Sequence, residues 1–335
     1  MRRALALVIY VVAGCTTFED PSIVLDLRIV AMTASLDPTA PKNQPVLGPE
    51  QVIDVDLEHP NPTEILAQLQ PTWICGMVAD PANRRDLRWK MTVCLLDPGD
   101  RCDLAHPVIE LGSGLLGDPD DSETEQQACA ELVTVQNQTL LTILREAVAA
   151  NPVQALGGIE YGVVLTVDDP ADPTAAVYAA KHLKVSARIP ADRVANTNPF
   201  IQYLDAAVTG IGLLIMNCRC GNPRCAAPPV RAGAVVTLFP VEPESVREEY
   251  YAARLDGTTA KLIETVNYQW LAGEGEFSDQ TTGGGHDVLG NQSLLGTEWR
   301  APRGHSAPVL VPIWMVQRDE RYGVSVLESC IEVEP

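Results

Sequence analysis

The runs GIEYGVVLTVD at 158–168 and AAVYAAKHLKVSARI at 175–189 decide the fold class. The first is rich in β-branched residues, and Asp169-Pro170-Ala171-Asp172 between the two is turn chemistry, so they read as a closing pair of strands. Working back from them, SIVLDLRIVAMTA at 22–34 alternates over its middle part, as a half-buried strand does. After Pro38, Pro41 and Pro45 a second alternating run covers 51–57, and 71–77 and 89–96 supply two more short strands. Short strands punctuated by Pro, Gly and Asp predict a β-sandwich rather than α/β layers. One helix breaks the pattern: Leu140, Leu141, Leu144 and Val148 recur at helical spacing, with Asn137 or Thr139 to cap the start and Asn151-Pro152 to stop it. The expectation is a helical insertion near 124–150, tied down through Cys129.

A polar, turn-rich stretch at 191–199 (ADRVANTNP) marks a boundary. The expected fold is therefore mainly β, with two Ig-like β-sandwich domains at 22–192 and 198–335, the first carrying the helical insertion. In the second, strands are read at 201–216 and 233–240. A hairpin follows from 250–255 and 261–270 about Asp256-Gly257, since Asp-Gly is a favoured hairpin turn. The last two strands are 309–316 and 323–333, joined through 317–322. Tyr268-Gln269-Trp270 followed by Gly273-Glu274-Gly275-Glu276-Phe277 resembles the strand and turn of Ig-like domains of the polycystic kidney disease repeat type. That resemblance implies that Trp270 fills a sandwich core and that the glycines make the turn, with Gly-Glu-Gly in place of the usual Gly-Asp-Gly. Trp299-Arg300-Ala301-Pro302 and the terminal hairpin look like parts of the Ig-like domains of Gram-negative envelope lipoproteins.

The N-terminus carries an address. Met1-Arg2-Arg3, an apolar stretch at 4–13 and then Gly14-Cys15 have the order of an export signal. The apolar stretch is about ten residues, too short for a helix to remain across a bilayer of about 30 Å. Val12-Ala13-Gly14-Cys15 resembles the lipobox of bacterial lipoproteins. The resemblance implies a signal peptide at 1–14, cleavage before Cys15, a diacylglyceryl thioether on that thiol, three acyl chains such as palmitate on the lipidated residue in all, and a tether at 15–21. Thr16 after the cysteine resembles the pattern of lipoproteins sent to the outer membrane. More than one acyl chain makes anchoring stable. Residues 16–21 span about 20 Å fully extended, so the first folded domain is expected close to the headgroups.

Composition narrows the partners. With 24 Lys+Arg against 44 Asp+Glu, the net charge is -20 at pH 7. Such a surface repels phosphate backbones, which argues against nucleic acid. The 335 residues suffice for two domains with real cores. After Cys15 there remain Cys75, Cys94, Cys102, Cys129, Cys218, Cys220, Cys225 and Cys330, an even set that in an exported chain favours disulfides. Connectivity does not follow from spacing; the pairing favoured here is Cys75 with Cys94 across a hairpin near 80–83, leaving Cys102 to Cys129. The cluster Cys218-Arg219-Cys220-Gly221-Asn222-Pro223-Arg224-Cys225 has thiol spacing that zinc could use. Only Cys330 is left to supply a fourth ligand, however, and disulfides within the loop and to Cys330 explain the same residues more simply.

No catalytic constellation stands out, and no cofactor or metal is called for. His59, His106, His182, His286 and His305 are scattered and form no metalloprotease-like pair. TTGGGHD at 281–287 brings His286 near Asp279 and Asp287, yet its glycines do not lead from a strand into a helix, so it reads as a flexible loop rather than a phosphate cradle. The acidic stretches at 117–125 and 168–172 offer carboxylates without EF-hand spacing. Ser113 in Gly112-Ser113-Gly114 lacks a hydrolase elbow. The expectation is a lipid-anchored, non-catalytic outer-membrane protein with a structural or partner-binding role, its partner an envelope protein or glycan. The alternative is a module binding calcium or carbohydrate through its acidic and Gly-rich loops. A hydrolase would need a pocket gathering a histidine, an acid and a nucleophile.

Overall fold

The computed structural model describes residues 20–37, 46–55, 61–82, 84, 86–116, 125–133, 137–151, 157–208, 211–215, 220, 227–254, 256, 258–285 and 293–335. The chain is mainly β and forms several sheets. The first two face each other. One has three antiparallel strands in the order Arg28–Ser35, Thr72–Ala79, Glu125–Leu132. The other has five, in the order Glu50–Ile53, Asp172–Ala187, Ile159–Asp169, Arg88–Cys94, Ile109–Leu115. All neighbours in the second are antiparallel except Glu50–Ile53, which runs parallel to Asp172–Ala187. Alternation sets the inward face: Val163, Leu165 and Val167 meet Met32, Ile74, Met91 and Val185 in one apolar core.

The helix Gln138–Ala150 closes one end of this core with Leu140, Leu141, Ile143 and Leu144, and the Asn137 side chain caps it by accepting from the Leu140 N–H at 3.0 Å. The helix is shorter than expected. Residues 125–132 form a strand instead, because Ala128, Ala130 and Leu132 bury one face and the run pairs along Thr72–Ala79. The expected disulfides are corrected by the same pairing. Cys129 lies directly opposite Cys75 in register and is bonded to it. Cys94 belongs to the other sheet and closes a loop with Cys102, eight positions on. The Cys75–Cys94 hairpin fails because the segment between the two strands crosses from one sheet to the other rather than turning back within one. Cys220 is bonded to Cys330. Cys15, Cys218 and Cys225 lie outside the described residues.

A second sheet pair follows. One sheet runs Ile211–Ile215, Tyr203–Val208, Val235–Val241, Thr297–Arg300, Glu276–Phe277; the other runs Pro229–Arg231, Val324–Glu334, Val309–Asp319, Val266–Ala272, Thr281–Gly283. Here too a short strand, Pro229–Arg231, lies parallel to the last long one. Leu204, Val236, Leu238, Tyr268, Trp270, Trp299, Ile313, Met315 and Ile331 fill the space between the sheets. Both indoles are fully buried and satisfied: Trp270 donates to the Thr282 hydroxyl at 2.9 Å and Trp299 to the Glu274 carbonyl at 3.1 Å. The expected long hairpin is divided. Glu249–Ala253 pairs with Thr259–Ile263, while Val266–Ala272 turns away into the larger sheet.

A third apolar cluster joins the two pairs. Val30, Ala31, Met77 and Ala79, on the outer face of the three-stranded sheet, pack with Val24 of the entering segment and with Leu271, Trp314, Val316, Val324 and Val326 of the second pair. The three-stranded sheet is thus covered on both faces, which is why Val30, Ala31 and Met32 are buried in succession. The chain also enters the fold at this seam: the Val24 N–H donates to the Ala272 carbonyl, and the Ala272 N–H to the Ser22 carbonyl, both at 2.9 Å.

Candidate functional site

The outer face of the first five-stranded sheet carries a short disulfide-closed loop. Leaving the strand at Cys94, the chain turns at Asp97-Pro98-Gly99-Asp100 and returns to Cys102, and the disulfide closes the loop over the sheet. The Asp97 carboxylate builds the turn by accepting the N–H groups of Gly99 at 2.8 Å and Arg101 at 3.0 Å. Asp97 and Arg101 exchange a further backbone bond at 2.8 Å, and Asp100 takes the left-handed φ of 57° that this tight turn requires. The Leu96 side chain occupies the space above Gly162, where any Cβ would collide with it.

Arg101 then reaches across the sheet and places its guanidinium 4.1 Å from the centre of the Tyr178 ring. The loop divides the face into two clefts. One, of about 430 Å³, is lined by Lys90, Thr92, Leu104, Val108, Thr166 and Tyr178 among others. The other, of about 440 Å³, lies between the turn, the C-terminal end of the helix and the start of Ile159–Asp169, and includes Pro98, Asp100, Tyr161 and His182. Leu104 stands 83 % exposed at the rim of the first, with Val108 and Tyr178 beside it about two-fifths exposed. An exposed leucine just beyond a covalently closed loop, flanked by an aromatic ring and an arginine, has the composition of a contact surface.

The residues singled out in the sequence fall elsewhere or take other work. His106 meets Glu146 at 2.8 Å and Asp103 at 3.7 Å, while His182 meets Asp100 at 3.2 Å and His305 meets Glu274 at 2.7 Å. His59 and His286 lie outside the described residues, as do 117–124 and Asp287. Among the described residues no group of three or more His, Cys, Asp or Glu is arranged to hold a metal ion. In the acidic stretch 168–172, Asp169 accepts from the Ala171 N–H at 2.8 Å, and Asp172 accepts from the Thr174 hydroxyl at 2.6 Å. The Thr174 bond holds the Asp172 carboxyl below its usual range, as an acid that caps a turn should be. The glycines of 281–285 also build an edge: Gly283 and Gly284 have positive φ and donate to the Leu294 and Val266 carbonyls, both at 2.7 Å. Ser113 donates to Glu110 at 3.1 Å on an edge strand.

Sequence reasoning missed the Cys94–Cys102 loop, although its signal was present. Asp-Pro-Gly-Asp between two cysteines eight positions apart is a turn with its own clasp. Pairing Cys94 with Cys75 across a hairpin hides that signal.

Among known proteins, no family model matches this chain, and no curated protein matches it. Among solved structures a chain titled BspA_C_WT is similar over 91 % of this chain and 99 % of its own, at 7 % identity and a TM-score of 0.16. A likeness at that level carries neither fold nor function.

Proposed function

We propose that this protein is a lipid-anchored envelope protein built from two Ig-like sandwiches, and that it binds a partner through the strapped face of the first without catalysing a reaction. The Ig-like reading is supported by strand order. In Ig-type letters, the first sheet pair runs A-B-E against A′-G-F-C-C′, and the second keeps A-B-E against A′-G-F-C within two sheets of five strands, with the parallel A′–G contact in each. Trp270 on strand C and buried against the sheet behind it is what that fold requires.

The single observation that carries the binding role is Leu104, left 83 % exposed in the turn that follows the Cys94–Cys102 loop, beside Arg101 and Tyr178. The turn carrying Leu104 is fixed to that loop, the Asp103 N–H donating to the Leu95 carbonyl and the Ala105 N–H to the Asp103 carboxylate, both at 2.9 Å, so little backbone entropy is lost when the exposed leucine docks. The anchor rests on the lipobox at 12–15. It joins the fold where Asp20 accepts from the Ser22 hydroxyl and the Gln280 amide, both at 2.6 Å. A tether of about 20 Å therefore holds the seam between the sandwiches, rather than the first sandwich alone, near the headgroups.

Two measurements test the reading. Cys15→Ala should move the protein from the membrane fraction into the soluble one; membrane retention of the variant contradicts the anchor. Affinity capture from solubilised envelopes should recover a partner with the native chain and lose it with Leu104→Glu; equal recovery by both contradicts the binding face.

A further inference from the structure

The turn Glu320-Arg321-Tyr322, between Val309–Asp319 and Val324–Glu334, leaves the second sheet pair and enters the first. Arg321 is buried and serves three carboxylates. Its Nε donates to Glu264, its Nη1 to Glu50 at 3.2 Å and its Nη2 to Glu248 at 2.6 Å, while its guanidinium lies 5.0 Å from the centre of the Tyr250 ring. Glu50, on the short parallel strand of the first pair, is fully buried; it also accepts from Arg193 of the connecting segment at 2.8 Å and from the Ser186 hydroxyl at 2.6 Å. Asp319 accepts from the Asn196 amide at 3.1 Å, and from the N–H groups of Arg321 at 2.8 Å and Gly323 at 2.7 Å. Lys181, on Asp172–Ala187 of the first pair, is buried and donates to the Tyr322 carbonyl, and the Tyr322 ring stacks on His182 at 4.9 Å.

Other charges border the cluster. Lys184 pairs with Glu160 at 3.8 Å, Glu320 accepts from Thr265 at 3.2 Å, and Arg318 donates to Gln269 at 2.6 Å. Within it, Glu50, Glu248, Glu264 and Asp319 face Arg193, Arg321 and Lys181, so the acids outnumber the bases. The arginines keep their charge at any ordinary pH. The groups that can give way are the acid most crowded by other acids and the lysine. Burial, with Asp319 and Glu248 adding to it, pushes Glu264 up to about 7; burial also raises Asp319. Burial pushes Lys181 down to about 7.

We propose that the joint between the two sheet pairs is a proton-sensitive latch, in which closure is weakest while Glu264 and Lys181 are both charged and tightens when a change of pH discharges either one. Glu264 bonds Arg321, whose Nη1 reaches Glu50 across the joint, and on folding it takes up a proton between its ordinary 4.5 and about 7, so its contribution strengthens as pH falls through that window. Lys181 releases a proton on closure between about 7 and its ordinary 10.5, so its contribution strengthens as pH rises through that window. The two windows meet near neutrality, where the joint holds least firmly.

Thermal unfolding of the full chain, with Glu264→Gln and Lys181→Met as variants, tests the latch. The Tm of Glu264→Gln minus that of the native chain should grow by about 2–4 °C between pH 5 and pH 8. For Lys181→Met the corresponding difference should shrink by a similar amount between pH 7 and pH 10. A difference that stays flat across its window in either variant overturns the proposal. Should Glu264→Gln fail to fold, the Lys181→Met profile decides in the same way.

Discussion

At the residue scale, Gly275 and Leu104 illustrate opposite kinds of constraint. Gly275 turns the chain at a φ of 98°, and any Cβ there would strike the Trp299 indole and the Arg300 carbonyl. Gly275→Ala should therefore destabilise the chain by about 1–3 kcal/mol, measured by denaturant unfolding, and a loss below about 0.5 kcal/mol would contradict the packing described. Leu104, by contrast, supports nothing beneath it. Leu104→Glu should leave stability within about 0.5 kcal/mol of the native chain while abolishing partner capture. The first of these positions was readable in the sequence, because Trp270 and the Gly-Glu-Gly turn mark a packed strand and its exit. The second was not, since a leucine looks the same in sequence whether the fold buries it or leaves it bare.

At the scale of elements, the strands were readable where alternation was clean. Ile159–Asp169 and Asp172–Ala187 emerge as the hairpin read from 158–189, and Gln138–Ala150 is the helix that Leu140, Leu141 and Leu144 announced. Failure came where an element is covered on both faces or held by a distant neighbour. Glu125–Leu132 contains alanines and glutamines that suit a helix equally well, and only pairing with Thr72–Ala79 makes it a strand. The disulfides failed for the same reason: Cys75 and Cys129 are 54 positions apart and meet only once that pairing exists. The strapped loop gives the test at this scale. Replacing Cys94 and Cys102 together by alanine removes a short closed loop and should cost about 2–3 kcal/mol by the loop-entropy argument. It should also release the amide protection of Arg101 and Asp103 in hydrogen exchange; unchanged protection would show that the turn hydrogen bonds alone hold the loop.

At the scale of the whole molecule, the four larger sheets of the described residues stack around three apolar cores, and the middle core makes the two pairs one unit. Trp314, 2 % exposed in that core, is its largest side chain. Trp314→Ala should cost about 3–5 kcal/mol and divide a single thermal transition into two, one for each pair. A stacked unit of this kind presents the strapped face at a fixed orientation to whatever holds its N-terminus, and the proposed role depends on that fixity. Site-specific photo-crosslinking in intact cells tests it most directly, with the photoreactive residue at position 104 and a control at Ile263, which is also exposed at 64 %. The account predicts one discrete crosslinked species from position 104 in the membrane fraction and none from 263. Equal crosslinking from both positions, or none from 104, would contradict it.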